Sequence, residues 1–150
     1  MNLPSEFIFI IQNTYREDGY AFLKALPDLI LEASTRWDLT DVQPAPTLSY
    51  NFVAFAKRGN EQVVLKMGVQ SDERESEIEA LRLFDGEGAC HLLDYDEEKS
   101  WMLLERLQPG VMLSTLEDDE EATTIAAEVM QKIWRPIEHV TLSEASQLYR

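Results

Sequence analysis

Phe52-Val53-Ala54-Phe55-Ala56-Lys57-Arg58-Gly59-Asn60-Glu61-Gln62-Val63-Val64-Leu65-Lys66-Met67 sets two β-rich runs, Phe52 to Ala56 and Gln62 to Met67, on either side of Arg58-Gly59-Asn60. β-Branched and aromatic residues suit a pleated, half-buried surface, and glycine with asparagine supplies the backbone freedom of a tight turn. Residues 48–67 therefore predict a β-hairpin. Alternation along its second arm puts Val64 and Lys66 on one face and Val63, Leu65 and Met67 on the other.

Downstream, the period lengthens to that of a helix from about Ser71 to Asp85, with Ile78, Leu81 and Phe84 as its apolar stripe and Gly86 and Gly88 marking its end. Two short strands, His91 to Tyr95 and Trp101 to Glu105, flank an acidic turn at Asp96 to Lys99. Upstream, Ser5 caps a helical region reaching about residue 36, whose apolar residues include Phe22, Leu26, Leu29, Ile30, Ala33 and Trp37. Gly19 and Pro27 interrupt that pattern and predict two or three short helices. Leu39 to Thr47, with Pro44 and Pro46, reads as an extended linker.

Beyond Gln108-Pro109-Gly110, Ile125, Val129, Met130 and Ile133 share one helical face, with Asp118 or Asp119 as N-cap. Pro136 is expected to stop that helix, and Thr141 with Glu144 to open another through a capping box. The expected class is α+β: an antiparallel sheet of about five strands carrying one helix. A helical N-terminal extension (1–40) precedes the sheet-bearing lobe (41–107), and a helical segment (108–150) follows it.

The composition narrows the function. With 150 residues, 45% hydrophobic and 27% charged, the chain suits a soluble globular fold. Its 28 acidic against 13 basic residues, formal charge -15, repel a phosphate backbone, so nucleic acid is not an expected partner. The apolar run Phe7 to Ile11 is far shorter than the roughly 20 residues of a membrane span, and no membrane partner is expected. The single cysteine, Cys90, cannot form an internal disulfide and suits a reducing cytoplasm. His91 and His139 lack the spacing of a metal site, and no nucleophile elbow presents a serine.

Lys66 is the central candidate. A strand-borne cation beside Val64 suits a nucleotide, the apolar side chain covering the base while the ammonium reaches the phosphates. Such a lysine needs a counter-charge, and Glu75, Glu77 and Glu79 on the next helix are within range. Glu77 is the choice, because it lines up with Leu81 and Phe84 on the inward side. The same residues also fit a strand-end lysine in solvent and a wet glutamate face.

Leu48-Ser49-Tyr50-Asn51-Phe52-Val53, Val63-Val64-Leu65-Lys66, Glu77-Ile78-Glu79-Ala80-Leu81-Arg82-Leu83-Phe84 and Met102-Leu103-Leu104-Glu105-Arg106-Leu107 with Pro109-Gly110 follow one another in an order that resembles the N-terminal lobe of the streptomycin and hydroxyurea kinases. These belong to the aminoglycoside phosphotransferase branch of the protein-kinase-like fold. The likeness covers roughly residues 20 to 135, including Leu26-Pro27 and Arg36-Trp37. It implies ATP as nucleotide, with Ser49, Tyr50 and Asn51 at the tip of a loop over its phosphates. It further implies Lys66 on the α- and β-phosphates, Glu77 orienting it, Leu104 behind the adenine, and the backbone of Glu105 and Leu107 bonding the base. Plain core packing of Met102 to Leu104 fits that strand equally.

The chain departs from the family pattern in its second half. Transfer on this fold uses an aspartate to direct the acceptor hydroxyl, with an asparagine and a second aspartate for the metal ions. No asparagine follows Asn60, there is no His-Gly-Asp run, and Asp118 and Asp119 belong to a helix start. No catalytic or metal residue is therefore assigned, and Mg2+ is expected only with a C-terminal lobe from a longer parent. The expectation is the ATP-binding part of a phosphotransferase acting on a small-molecule hydroxyl, inactive as this chain alone and able to self-associate through an exposed inter-lobe face. The alternative is a non-catalytic acidic interaction module derived from a kinase lobe, and a third reading is an α+β domain with an accidental likeness.

Overall fold

The computed structural model describes residues 3–134 and orders them as α1 (Ser5–Trp37), β1 (Leu39–Pro44), β2 (Phe52–Arg58), β3 (Glu61–Met67), α2 (Asp72–Phe84), β4 (Leu92–Asp96), β5 (Trp101–Glu105), a 3-10 turn (Leu113–Thr115) and α3 (Asp119–Ile133). The class is α+β. Its five-stranded sheet runs β1-β2-β3-β5-β4, and every neighbouring pair is antiparallel.

The hairpin forms as its residues predict, β2 and β3 pairing from Phe52 with Met67 to Arg58 with Glu61, around Gly59 at φ 60. The segment 39–47 departs from expectation. Leu39 to Pro44 is a strand, paired with β2 through Leu39 with Arg58 and Pro44 with Ala54, and broken by a register shift between Thr40 and Gln43. Proline tolerates this place because β1 is an edge strand, where a missing N–H need not break a ladder.

The N-terminal region also differs in detail. Neither Gly19 nor Pro27 interrupts it: the break falls at Arg16, with φ 52 and ψ -123, and α1 is two helical arms meeting there. Packing of Phe22, Leu26, Ala33 and Trp37 carries the second arm through Pro27, tertiary burial outweighing one lost helical bond. Gly19 serves instead as the crossing point of the arms. A Cβ there would be driven into the carbonyl oxygen of Ile11, with the carbonyl carbon only 3.0 Å away.

Both faces of the sheet are covered. On one, Phe52, Ala54, Ala56, Val63, Leu65, Met67, Trp101 and Leu103 pack with Phe7, Ile11, Phe22, Leu26, Ala33 and Trp37 of α1. The helical extension and the sheet thus share one core. On the other face, Met102 and Leu104 pack with Ile78 and Leu81 of α2, joined by partly buried Val64, Cys90, Leu92 and Tyr95. Asp85 closes α2 in the left-handed conformation, its amide bonding the carbonyl of Leu81.

The chain divides into two compact units, residues 1–111 and 112–150. In the second, Asp118 caps α3 by accepting from the amides of Glu120 and Glu121 at 2.9 and 3.2 Å, and acidic residues fill the first turn, where the helix dipole favours them. The stop at Pro136 and the capping box at Thr141 and Glu144 lie outside the described residues. Among the described residues no helix is long and apolar enough to cross a membrane.

Gly19→Ala tests the crossing of the arms. In an unobstructed helix interior this change stabilises by about 1 kcal/mol. Here the methyl group meets backbone that cannot swing aside, and a loss of about 2 kcal/mol is expected, read as a lower urea midpoint. An unchanged or raised midpoint would refute the close crossing.

Candidate functional site

The hydrogen-bond register of β3 decides where its lysine points. Val63, Leu65 and Met67 are buried against α1, so Val64 and Lys66 must face the α2 side. Helical spacing turns Ile78 and Leu81 into the sheet and leaves Glu75 and Glu79 exposed, whereas Glu77 is half-buried. Its Oε1 accepts a hydrogen bond from Nζ of Lys66, and the two side chains are 20% and 35% exposed for lysine and glutamate. Of the three glutamates considered, Glu77 makes the pair.

An apolar strip runs beside this ion pair. Register places Phe55 opposite Val64 and Val64 opposite Leu104, so the three form a row across β2, β3 and β5. The neighbouring row is Val53, Lys66 and Met102. An ammonium group next to an apolar row can hold an anionic group attached to a flat apolar one. Cys90 borders the strip: burial pushes its thiol above the usual range, its own backbone hydrogen bond and Lys66 pull it back, and Glu105 and Glu77 push it further up.

The stretch after β5 is tied back to the sheet. The amide of Glu105 donates to the carbonyl of His91 at 2.9 Å, and the amide of His91 donates to Oε2 of Glu105 at 3.0 Å. The N–H of Glu105 is thereby spent, and a base could meet this residue only through its carbonyl. Arg106 lays its guanidinium over the Phe55 ring, 4.1 Å from the centroid, and Nε2 of Gln108 donates to Oε1 of Gln62 at 2.9 Å. Leu107 is exposed.

Ser49 and Tyr50 are exposed at the tip of the loop before β2. Asn51 is not free: Nη1 of Arg74 donates to its side-chain oxygen. Arg74, 4% exposed, also donates from Nε to the carbonyl of Ser100 at 3.1 Å and from Nη2 to the same oxygen. Burial draws its guanidinium below the ordinary range, while the nearby Glu77 and Tyr15 push the other way. Tyr15, Tyr50, Asn51, Arg74 and Glu77 line part of a cavity of about 650 Å³.

Sequence reasoning missed Arg74, Phe55 and Arg106. For Arg74 a signal existed, because positions 74, 78 and 81 share one helical face, which makes the arginine an extension of the buried stripe. For Phe55 and Arg106 the contact joins elements far apart in sequence, and no local pattern announces it. Among the described residues no group of three or more histidine, cysteine or acidic side chains is arranged to hold a metal ion.

The profile of the family described as aminoglycoside/hydroxyurea antibiotic resistance kinase matches residues 36–144. The chain is 31% identical over 134 residues to a streptomycin 6-kinase of Streptomyces glaucescens, covering 89% of this chain and 44% of that protein. It is 32% identical over 118 residues to a streptomycin 6-kinase of Streptomyces griseus, covering 78% and 38%. A hydroxyurea phosphotransferase of Kitasatospora aureofaciens is 29% identical over 136 residues, covering 89% and 40%. The chain thus spans less than half the length of these relatives. No solved structure gives a significant match.

The environment of Cys90 makes a pH prediction. A raised folded-state value keeps the thiol protonated at neutral pH, so alkylation by iodoacetamide should be slow and its rate should climb with a midpoint above the ordinary thiol value of about 8.5. Unfolding in urea should return the midpoint to that ordinary value. A folded-state midpoint at or below it would contradict the burial of Cys90 beside Glu105 and Glu77.

Proposed function

The chain belongs to the aminoglycoside/hydroxyurea antibiotic resistance kinase family, and on that premise we propose that it is the ATP-gripping, kinase-like N-terminal lobe of a phosphotransferase acting on a small-molecule hydroxyl. The observation that carries this reading is the ion pair of Lys66 with Glu77 beside the row Phe55, Val64 and Leu104. ATP supplies the phosphoryl group. This chain's residues bind and orient it.

In this reading Lys66 contacts the α- and β-phosphates, and Glu77 keeps the ammonium aimed instead of leaving it to wander over its rotamers. Val64 and Leu104 offer adenine an apolar surface, and the carbonyl of Glu105 with the backbone of Leu107 offers it hydrogen bonds. Ser49 and Tyr50 sit at the loop tip near the phosphates. Acceleration on this fold comes from positioning and charge neutralisation, and the grip on the phosphates is the share assigned to this chain. Among the described residues no three histidine, cysteine or acidic side chains are arranged around a common point for a metal ion. With no asparagine after Asn60, residues 61–150 hold no candidate for the family's metal-binding asparagine, and acceptor and metal are assigned to parts of a longer protein. The absence of an internal disulfide partner for Cys90 agrees with action in a reducing cytoplasm, where ATP is plentiful.

Isothermal titration of the 150-residue chain with ATP tests the reading. Saturable binding is expected, and Lys66→Ala should weaken it by about tenfold or more, the scale of one lost charged hydrogen bond. Glu77→Gln should weaken it less, since the lysine remains but loses its orienting charge. Equal affinity in wild type and Lys66→Ala would defeat the proposal. It would favour a second reading motivated by the 28 acidic residues against 13 basic ones, a module that meets a cationic partner.

A further inference from the structure

We propose that Arg74 is a positioning residue that locks the loop at Ser49 to Asn51 onto α2, so that one side chain sets both the loop tip and the helix turn that carries Glu77. The inference rests on the nucleotide-binding reading above. It names a residue which that reading does not use.

Three observations converge on it. Arg74 is one helical turn before Glu77, and it reaches outward from α2 in two directions, to the side-chain oxygen of Asn51 and to the carbonyl of Ser100. A guanidinium held at both ends leaves α2 little freedom to roll, and rolling α2 would withdraw Glu77 from Lys66. Second, room has been left for the bond. A Cβ on Gly68 would run into the side-chain oxygen of Asn51 and come within 2.9 Å of Nη1 of Arg74, so a side chain here would push the bonded pair aside. Third, Ser100 adopts φ 53, a left-handed conformation unusual for serine, and its own hydroxyl is buried with no hydrogen-bond partner. Backbone in that region is strained for a residue with a side chain and persists where surrounding contacts impose it. Here the twofold bond from Arg74 to the Ser100 carbonyl is such a contact.

Burial of the guanidinium excludes an ordinary surface role. An arginine 4% exposed is desolvated, and it is stable there because its donors find fixed oxygens. A lysine could keep the charge but not the fork, which serves Asn51 and Ser100 together.

The experiment is titration of the whole chain with ATP and, separately, with adenosine, using wild type, Arg74→Lys, Asn51→Ala, their double variant and Lys66→Ala. Asn51→Ala leaves both bonds to Ser100 in place, so it frees the loop while the fold holds. Asn51→Ala and Arg74→Lys are each expected to weaken ATP about tenfold with adenosine unchanged, because loop and Glu77 serve the phosphates and not the base. The double variant should be no weaker than either single one, the mark of a shared interaction. ATP affinity unchanged in Asn51→Ala, equal losses for ATP and adenosine, or additive losses in the double variant would each overturn the lock; additivity would mean that Asn51 touches the phosphates by itself. If Lys66→Ala weakens ATP while the Arg74 and Asn51 variants do not, the lock alone fails. If Lys66→Ala binds ATP as wild type does, the nucleotide reading falls and the lock falls with it.

Discussion

Strand β3 works for two layers at once, and the rest of the structure depends on that constraint. Val63, Leu65 and Met67 are fully buried against α1, so the strand cannot rotate or slip by one residue without turning its whole apolar set into the wrong layer. That burial is what aims Val64 and Lys66 at the opposite side, where α2 and β5 wait. The direction of the lysine is thus a by-product of core packing on the far face. A large apolar area holds a single charged group in place.

On the α2 side the polar contacts are few and specific. Lys66 meets Glu77, and Arg74 meets Asn51 and Ser100, both from the first turns of one helix. Below them Ile78 and Leu81 fix the helix to Met102 and Leu104. The apolar contacts set the height of α2 over the sheet and the charged ones set its rotation, since hydrogen bonds are directional and apolar burial is not. The rim opposite is tied in the same manner, with Arg106 over Phe55 and Gln108 bonded to Gln62.

The family profile covers residues 36–144, a span that includes β1 to β5 and α2. The profile match begins at residue 36, within the second arm of α1, so the first arm lies outside the part that matches. Yet that arm supplies Phe7 and Ile11 to the core behind β3. Residues before the profile match therefore help to hold the candidate site.

The order of elements from β2 to β5, the α+β class, the hairpin with its turn at Gly59, the split of β3 into two faces and the choice of Glu77 were readable from the chain, because each rests on a period or a spacing within about twenty residues. Pairing across longer separations was not. Residues 39–44 read as a linker because two prolines suggest extension and nothing local reveals that β2 lies alongside. Gly19 and Pro27 read as breaks because propensity speaks before packing does, and the true break at Arg16 carries no residue that demands it. Arg74 shared the spacing of the buried stripe, but a guanidinium among acidic neighbours reads as solvated until its distant acceptors, Asn51 and the Ser100 carbonyl, are seen. The sequence by itself determined which residues could sit on one face. Only the tertiary structure decided which faces met, because burial and hydrogen-bond geometry depend on partners that the local chain does not contain.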